Sequence, residues 1–315
     1  MDYSDIYLIP RYSTLQSRKQ ASTTCELGGY EFNLPIVPSN MPAIISPELA
    51  IQLGKLGYFY ILHRFLPYSD VKNFLHKCKS ESVITSISLG VKEKDFLFVD
   101  SLATEGIIPN FITIDVAHGH SILVQNMLGH IKNRLKNSFI IVGNVGTVLA
   151  VSNLEAWGAD AIKVGIGGGR VCTTYNKTGF RTPMVETVFN CSKHSNVPII
   201  ADGGIRENGD IAKALVLGAT MVMSGELFAG HIESPGKIVH INGLDHKYYF
   251  GNASILNGNR KNIEGTDIQV PLKGSVFDTL AYMQEDLQSA ISYAGGDSLK
   301  IFPSVTWKVG TNREL

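Results

Sequence analysis

The chain is predicted to fold as a (β/α)8 TIM barrel with a long active-site lid after the eighth strand. Eight short apolar runs rich in Val, Ile, Phe and Tyr recur along its 315 residues. Their residues are continuously apolar, as is typical of parallel strands covered on both faces. Helix-like segments separate most of the runs, and strands alternating with helices indicate a parallel α/β fold. With 44% apolar residues, the chain is expected to form one barrel domain over residues 1–315.

The eight apolar runs define the predicted strands. They are Pro35–Pro38, Tyr58–Leu62, Val83–Leu89, Phe111–Val116, Phe139–Val142, Ala161–Val164, Pro198–Ala201 and Met221–Met223. The clearest predicted helices are Pro47–Leu56, Tyr68–Lys79, Ser121–Leu135, Val148–Trp157, Thr187–His194, Asn208–Leu217 and the final helix Ser275–Tyr293. A further helix is expected between the third and fourth strands.

Composition does not favour a nucleic-acid or membrane-surface partner over a small molecule, because Lys+Arg and Asp+Glu each number 28 and the formal charge is zero. The segment Met1–Asp5 has no basic flank or apolar signal core, and no apolar run approaches about 18 residues. The four cysteines are Cys25, Cys78, Cys172 and Cys191. They form no CxxC pair, which favours reduced thiols in a cytoplasmic protein.

The most informative segment follows the sixth predicted strand and reads Val164-Gly-Ile-Gly-Gly-Gly-Arg-Val-Cys-Thr-Thr-Tyr-Asn-Lys-Thr-Gly179. Glycines let a backbone approach a ligand closely, and a thiol at the rim of such a loop is placed to attack it. Arg170 and Lys177 are nearby charges that could favour the Cys172 thiolate. The alternative is a tight turn followed by a buried, unreactive cysteine. The other three cysteines lack this context and are predicted to be structural.

Small and polar residues follow the predicted strands, at the end of a barrel where active sites lie. They are Ser39-Asn40-Met41, His63-Arg64, Ser88, Asp115 with His118, Gly143-Asn144, Asp202-Gly203-Gly204 and Ser224-Gly225. The glycine turns after strands seven and eight are typical of a phosphate site. Asp202 could accept hydrogen bonds from ribose hydroxyls, or it could be a turn-forming aspartate.

A long polar segment, Glu226–Gly274, follows the last predicted strand and shows little periodicity. Loops of this length in compact domains are functional lids or disordered segments. A lid is predicted, because Val270-Pro271-Leu272-Lys273-Gly274 and the final helix return the chain to order. We refer to Glu226–Gly274 as the lid.

Several of these motifs carry a family resemblance over nearly the whole chain. They are Asp5-Ile6 with Ser13-Thr14-Leu15-x-Ser17-Arg18, Pro38-x-Asn40-Met41, Gly143-Asn144-Val145, Gly165-Ile166-Gly167-x-Gly169-x-Val171-Cys172-x-Thr174, Ala201-Asp202-Gly203-Gly204-Ile205-Arg206 and Met223-Ser224-Gly225. Together they resemble the IMP dehydrogenase and GMP reductase family, in which the cysteine bonds covalently to C2 of a purine nucleotide. The resemblance also implies a barrel fold.

The resemblance is stronger to the shorter bacterial branch of GMP reductases, through Tyr60–Phe65 and Ile114–His120. No insertion follows Leu89, where many dehydrogenases carry a CBS domain, and the lid has no Arg-Tyr pair of the kind with which dehydrogenases activate water. Glu264-Gly265 is similar to the reductase pattern. The resemblance implies NADPH-dependent reductive deamination of GMP to IMP, with release of ammonia through a Cys172 thioimidate in purine salvage.

The resemblance further implies roles for individual residues. The catalytic residues are Cys172, Thr174 and Glu264. The substrate-binding residues are Asn40, Met41, Gly169, Arg170, Asp202, Gly203, Gly204, Ser224, Gly225, Gly251, Asn252, Ala253, Lys261 and Gly265. The residues near the NADPH cofactor are Asp115, Ala117, His118, Gly165 and Ile166. Carbonyls of Gly167, Gly169 and Cys172 could hold potassium, and relatives suggest a homotetramer.

Some features depart from the family pattern. Gly168 stands where proline is usual, Arg170 where many members have a phosphate-binding serine, and Arg181-Thr182-Pro183 replaces a glycine-rich continuation.

The histidine pair His118-Gly-His120 lacks a third ligand in register and makes a poor zinc site. Three functions remain as alternatives to a GMP reductase. They are an IMP dehydrogenase lacking the CBS domain, an FMN-dependent barrel oxidoreductase and a non-enzymatic guanine-nucleotide-binding regulator.

Overall fold

The computed structural model describes residues 1–258 and 261–310. Asn259 and Arg260 of the lid, and residues 311–315 of the expected single domain, lie outside the described residues. The strands are β1 (Ile6–Leu8), β2 (Cys25–Leu27), β3 (Tyr30–Phe32), β4 (Ile36–Pro38), β5 (Ser86–Leu89), β6 (Phe111–Asp115), β7 (Phe139–Val145), β8 (Ala161–Val164), β9 (Ile199–Asp202), β10 (Met221–Ser224), β11 (Ile238–Ile241), β12 (Leu244–Phe250), β13 (Asp267–Pro271) and β14 (Trp307–Val309). The helices are α1 (Pro47–Lys55), α2 (Tyr68–Ser80), α3 (Glu93–Thr104), α4 (Ile122–Arg134), α5 (Val148–Ala156), α6 (Thr174–Thr178), α7 (Met184–Lys193), α8 (Asn208–Val216) and α9 (Val276–Tyr293).

The predicted α/β barrel class is confirmed by a seven-stranded parallel sheet in the order β4-β10-β9-β8-β7-β6-β5. The first barrel strand lies beside the last, which is the pairing that closes a barrel. For example, Val222 of β10 is in register with Ile36 of β4. The side chains inside the sheet alternate with those facing the helices, as the period of two requires.

The prediction of a regular strand at Tyr58–Leu62 is wrong in its hydrogen bonding. This segment makes an isolated parallel bridge between Leu62 and Ile87 beside β5. The Leu62 N–H donates to the Ser86 carbonyl at 3.1 Å, but the Leu62 carbonyl accepts from the Ser88 hydroxyl at 2.6 Å. The Ser88 side chain thus adds a bond to this single backbone bridge. The segment still fills the expected gap, because Phe59 to Leu62 are fully buried.

The amino end of the barrel is closed by an antiparallel hairpin of β2 and β3. Its side chains Leu27 and Phe32 belong to the same buried cluster as Phe59 and Phe111 inside the barrel. Gly28, at the hairpin turn, comes so close that an added Cβ would lie 2.8 Å from the Phe111 ring. Because this hairpin fills the amino end of the barrel, a ligand-binding site is expected at the carboxyl end of the strands.

The lid contains an antiparallel sheet in the order β11-β12-β13. The sequence of this segment shows little periodicity and did not predict these strands. Its strands are only partly buried, so apolar residues mark them weakly; of β11 no residue is buried, whereas Tyr249 of β12 is 3% exposed. A second small sheet pairs β1 with β14. Within the described residues, no helix combines the length and the apolar character that crossing a membrane requires.

Candidate active site

The cysteine loop, residues Gly165–Thr173, follows β8 and packs against the turn after β9. Gly165 has φ +133°, and a Cβ there would lie 2.1 Å from the Asp202 carbonyl oxygen. Gly203 has φ +101°, and its Cβ would lie 3.1 Å from the backbone of Gly168. Glycines are therefore needed at both positions for the two loops to touch. This contact brings Cys172, which is half-buried, to the carboxyl end of the barrel.

The three predicted catalytic residues lie together. The Cys172 Sγ is 3.1 Å from the Thr174 Oγ1, and the Thr174 hydroxyl donates to Glu264 Oε2 at 2.8 Å. The lid brings Glu264 here through backbone bonds to the cysteine loop. Thr173 N–H donates to the Glu264 carbonyl at 2.8 Å, and Thr266 N–H donates to the Val171 carbonyl at 2.9 Å.

This trio provides a route for a proton. A threonine hydroxyl has one proton, and here the Glu264 carboxylate accepts it. The short contact between sulfur and hydroxyl is then satisfied when the Cys172 thiol donates to Thr174. A proton can thus pass between the thiol and the carboxylate through the hydroxyl, which suits a nucleophile with an adjacent acid–base group.

A charged layer lies inside the barrel beneath the site and consists of Asp115, Lys163 and Asp202. The Lys163 ammonium is 2.8 Å from Asp202 Oδ2 and 3.2 Å from Asp115 Oδ1, and its side chain is only 3% exposed. Arg64 Nε lies 3.6 Å from Asp115 Oδ2. Buried charges are costly unless they are paired, so this layer is held by its mutual contacts.

Register explains how the charged layer forms. Asp115, Gly143 and Lys163 are in register on the neighbouring strands β6, β7 and β8. Because Gly143 has no side chain, Lys163 can reach Asp115 across the middle strand. A Cβ at Gly143 would lie 2.6 Å from the Lys163 Cβ.

Pairing outweighs burial in setting the pKa values of this layer. Burial alone would raise the pKa of Asp115, but the Lys163 ammonium and the Arg64 guanidinium hold that pKa below its ordinary value. Burial would likewise lower the pKa of Lys163, but Asp202 and Asp115 raise that pKa above its ordinary value. Both groups therefore remain charged at neutral pH.

Sequence reasoning missed Lys163, because it treated Ala161–Val164 as an apolar strand. A signal was present: Lys163 is two residues after Ala161, so both side chains point into the barrel. Asn144, which was noted after its strand and in a motif but given no role, also belongs here. Its Nδ2 donates to Asp202 Oδ2 and to the Gly165 carbonyl, both at 2.8 Å.

The predicted phosphate end is a small recess where the lid meets the turns after β9 and β10. Its lining includes Gly168, Gly169, Arg170, Gly203, Gly204, Ile205, Arg206, Ser224, Gly225, Glu226 and Tyr249. Arg170 is paired with Glu226 at 2.5 Å. Two arginines and glycine-rich backbone make a set of donors that suits an anion. In this conformation, however, Gly204 N–H donates to the Gly168 carbonyl, and the Ser224 hydroxyl donates to the Ile205 carbonyl.

Tyr249 and Glu226 are lining residues that sequence reasoning did not single out. Tyr249 of β12 is buried, and an added Cβ at Gly225 would lie 2.3 Å from its hydroxyl. Burial, with the charges of Glu226 and Asp202 nearby, raises the pKa of Tyr249, so the phenol remains neutral.

The remaining predicted substrate residues are connected to the site by the lid. Asn252 Nδ2 donates to the Asn40 carbonyl at 3.5 Å, and Glu264 and Gly265 N–H groups both donate to the Ala253 carbonyl. Gly251 is packed against Val171, and an added Cβ would lie 3.0 Å from its carbonyl oxygen. Two residues stand apart from these contacts. They are Met41, which is half-buried beside the barrel core, and Lys261, which is exposed.

The predicted cofactor residues lie at the ends of β6 and β8. Asp115 belongs to the charged layer, whereas Ala117 and His118 are exposed. Gly165 N–H donates to the Val145 carbonyl, and Ile166 N–H donates to the Thr182 hydroxyl at 3.1 Å. Ala117 and His118 are thus exposed two and three residues after the buried Asp115 carboxylate.

The predicted potassium site depends on carbonyl oxygens of the cysteine loop. The Gly169 carbonyl accepts a hydrogen bond from Cys172 N–H at 3.1 Å, so this loop is already turned on itself. The described residues include no cluster of three or more His, Cys, Asp and Glu side chains suited to a metal ion. Potassium binding by Gly167, Gly169 and Cys172 stays a prediction.

Comparison with known proteins agrees with this architecture. The sequence model of the protein family described as "IMP dehydrogenase / GMP reductase domain" matches residues 1–307 of this chain. Three curated proteins named GMP reductase match 99% of this chain and 96% of their own lengths. They are from Lysinibacillus sphaericus (52% identical), Bacillus subtilis (49%) and Enterococcus faecalis (50%). The chain therefore belongs to the IMP dehydrogenase/GMP reductase family.

Proposed function

We propose that this protein is a GMP reductase, an oxidoreductase that converts GMP, NADPH and a proton to IMP, ammonia and NADP⁺. The observation that carries the proposal is the contact chain from Cys172 through Thr174 to Glu264. It joins a nucleophile to a proton carrier, and loss of ammonia needs both. The names of the relatives, which share about half of their residues with this chain, support the same reaction.

In the proposed mechanism, the Cys172 thiol loses its proton to Thr174 and Glu264, and the thiolate adds to C2 of GMP. The same carboxyl group returns a proton, through the Thr174 hydroxyl, to the departing amino group, so that ammonia leaves and a thioimidate remains. A reduced nicotinamide, held near Asp115, would supply a hydride to C2 when bound. The C2–sulfur bond would then break, IMP would leave, and the Cys172 thiolate would take up a proton from water to restore the thiol.

Other residues hold the nucleotide in this proposal. Asp202 accepts the ribose hydroxyls, and Arg170 with the glycines at 203, 204 and 225 forms the phosphate end. Arg170 leaves Glu226 to pair with the phosphate, since guanidinium matches phosphate geometry well. The lid residues Asn252 and Gly265 close over the base.

In this proposal the cofactor binds at the carboxyl end of β6. The carboxamide of a nicotinamide has an NH2 donor that needs an acceptor, and Asp115 is a carboxylate kept ionised by Lys163 and Arg64. Exposed Ala117 and His118 would border the ring. A cytoplasmic homotetramer acting in purine salvage completes the proposal.

The decisive experiment follows the reduced-nicotinamide absorbance of the purified protein with GMP and NADPH or NADH. We expect loss of NADPH with equal amounts of IMP and ammonia formed, and none of this with Cys172→Ser. Production of reduced cofactor from IMP with formation of XMP would favour the dehydrogenase instead. Yellow protein would favour a flavin enzyme, and GMP binding without turnover would favour a regulator.

A further inference from the structure

Asp202 is held from below by two donors that reach the same oxygen. Lys163 Nζ and Asn144 Nδ2 each lie 2.8 Å from Asp202 Oδ2. In the described part of the chain, these are the side-chain bonds made by this carboxylate. They fix its rotation, and Oδ1 is the oxygen left for a ligand. The Asn144 amide is itself fixed, because it also donates to the Gly165 carbonyl.

Lys163 cannot serve as a direct ligand of a bound molecule. Its side chain is 3% exposed, and its ammonium is enclosed by Asp202, Asp115 and, at 3.8 Å, the Met223 sulfur. Its influence on a ligand must therefore pass through the carboxylates that it contacts.

We propose that Lys163 is a positioning residue for substrate binding: its ammonium orients the Asp202 carboxylate and keeps it able to accept the sugar hydroxyls of the nucleotide. This inference rests on the proposed function, because it takes the ligand of Asp202 to be GMP. Lys163 also joins Asp202 to Asp115, so a single buried cation serves the substrate side and the cofactor side.

The charges around the layer support this role. Asp115 is faced by Lys163 and Arg64, whereas Asp202 is faced by Lys163 and by the neutral phenols of Tyr3 and Tyr249. Lys163 is thus the cation that pairs with Asp202. Without it, two carboxylates would share the barrel interior, and one would bind a proton more readily. A protonated carboxyl is a weaker acceptor for the sugar hydroxyls than a carboxylate, because it has lost its charge and one lone-pair site.

The test compares Lys163→Met, which keeps the length of the side chain, with Lys163→Arg, which keeps the charge. Lys132→Met is the matched control, because Lys132 also pairs with an aspartate, Asp160, at 2.8 Å but lies on α4. GMP affinity is measured by calorimetry and by the KM for GMP, over about pH 5.5 to 8. We expect Lys163→Met to weaken GMP binding at least about tenfold, as for one charge-assisted hydrogen bond.

The pH profile separates positioning from general damage. In Lys163→Met the GMP dissociation constant should increase as the pH falls, more steeply than in wild type, while Lys163→Arg recovers much of the affinity. Lys132→Met should follow wild type. If Lys163→Met does not fold, Lys163→Met with Asp115→Asn removes one positive and one negative charge together. That double variant should fold and still bind GMP about tenfold more weakly.

Several outcomes decide between the proposals. GMP binding within twofold of wild type at every pH, in Lys163→Met or in the double variant, would overturn the role of Lys163 and leave the proposed function intact. Wild-type protein that binds GMP without consuming NADPH would overturn the function, and the binding data would still decide the role of Lys163. Wild-type protein that binds no GMP would overturn both.

Discussion

Adding one methyl group at Gly143 should disrupt the charged layer. Gly143→Ala places a Cβ 2.6 Å from the Lys163 Cβ and 2.8 Å from the Lys163 carbonyl oxygen. Ordinary contacts of a Cβ begin near 3.4 Å, and both neighbours belong to or adjoin the backbone of β8, so neither can rotate away. Strands β7 and β8 must therefore separate, or the lysine must move from Asp115.

The size of the effect follows from two opposing terms. Overpacking a filled interior costs about 1–3 kcal/mol. Replacing glycine by alanine also restricts the unfolded chain, which returns about 0.4–1 kcal/mol. The difference spans about 0 to 2.6 kcal/mol, and because the 2.6 Å contact is with a strand that cannot rotate away, the expected net loss in the free energy of unfolding is about 1–2 kcal/mol. GMP affinity should fall as well, because the displaced lysine also holds Asp202.

Gly129→Ala is the matched control. Gly129 lies in α4, and an added Cβ would meet nothing within 4 Å. Alanine is the better helix former, so this variant should gain about 0.5–1 kcal/mol. Urea denaturation followed by circular dichroism measures both changes, and calorimetry with GMP measures binding. The reasoning is refuted if Gly143→Ala is as stable as wild type and binds GMP equally well.

Four further predictions concern chemistry and pH. Cys172→Ser should abolish NADPH consumption yet bind GMP within about tenfold of wild type by calorimetry; turnover at the wild-type rate would exclude this nucleophile. Glu264→Gln should slow GMP reduction by about 10²–10⁴-fold, whereas a stopped-flow experiment with IMP and NADP⁺ should still form NADPH, up to one per site; equal losses in both reactions would argue against a dedicated proton donor. Asp202→Asn should weaken GMP binding by about 1.5–3 kcal/mol for each charge-assisted bond lost, and unchanged affinity would return this residue to a turn-forming role. Burial lowers the pKa of His63 from 6.5 to about 4, so the unfolded chain binds the proton first as the pH falls; stability should drop by up to about 3 kcal/mol between those values, and a His63→Asn variant that loses as much stability over that range would contradict this.

The barrel could be predicted well from the sequence because its signal is local. Continuous apolar runs located seven hydrogen-bonded strands within a few residues, and the final helix Val276–Tyr293 begins one residue after its predicted start. Pairing of Tyr58–Leu62 could not be predicted in the same way. Its burial is visible in its apolar character, but its single bridge to β5 and the bond from the Ser88 hydroxyl are tertiary contacts.

The site could be predicted from family motifs but not from hydrophobic periodicity or residue spacing. Thr174 and Glu264 are ninety positions apart, and nothing in their spacing requires them to meet. Family resemblance joined them, and the structure places them in contact. Lys163 could not be predicted as a site residue from its own strand. A charged side chain fits inside the barrel only where a neighbouring residue leaves space, and here that space is left by Gly143 on a different strand.

The contact chain Cys172–Thr174–Glu264 is divided between two parts of the molecule. Cys172 and Thr174 belong to the barrel, whereas Glu264 is held here by the lid, through the backbone bridge between Cys172 and Gly265. Any movement of the lid away from the barrel would therefore separate the Glu264 carboxylate from the Thr174 hydroxyl. In the proposed reaction, a protein with its lid displaced would have a nucleophile but no route for its proton. Ammonia would then form only in the covered state, so lid closure as well as thiol chemistry would set when GMP reacts.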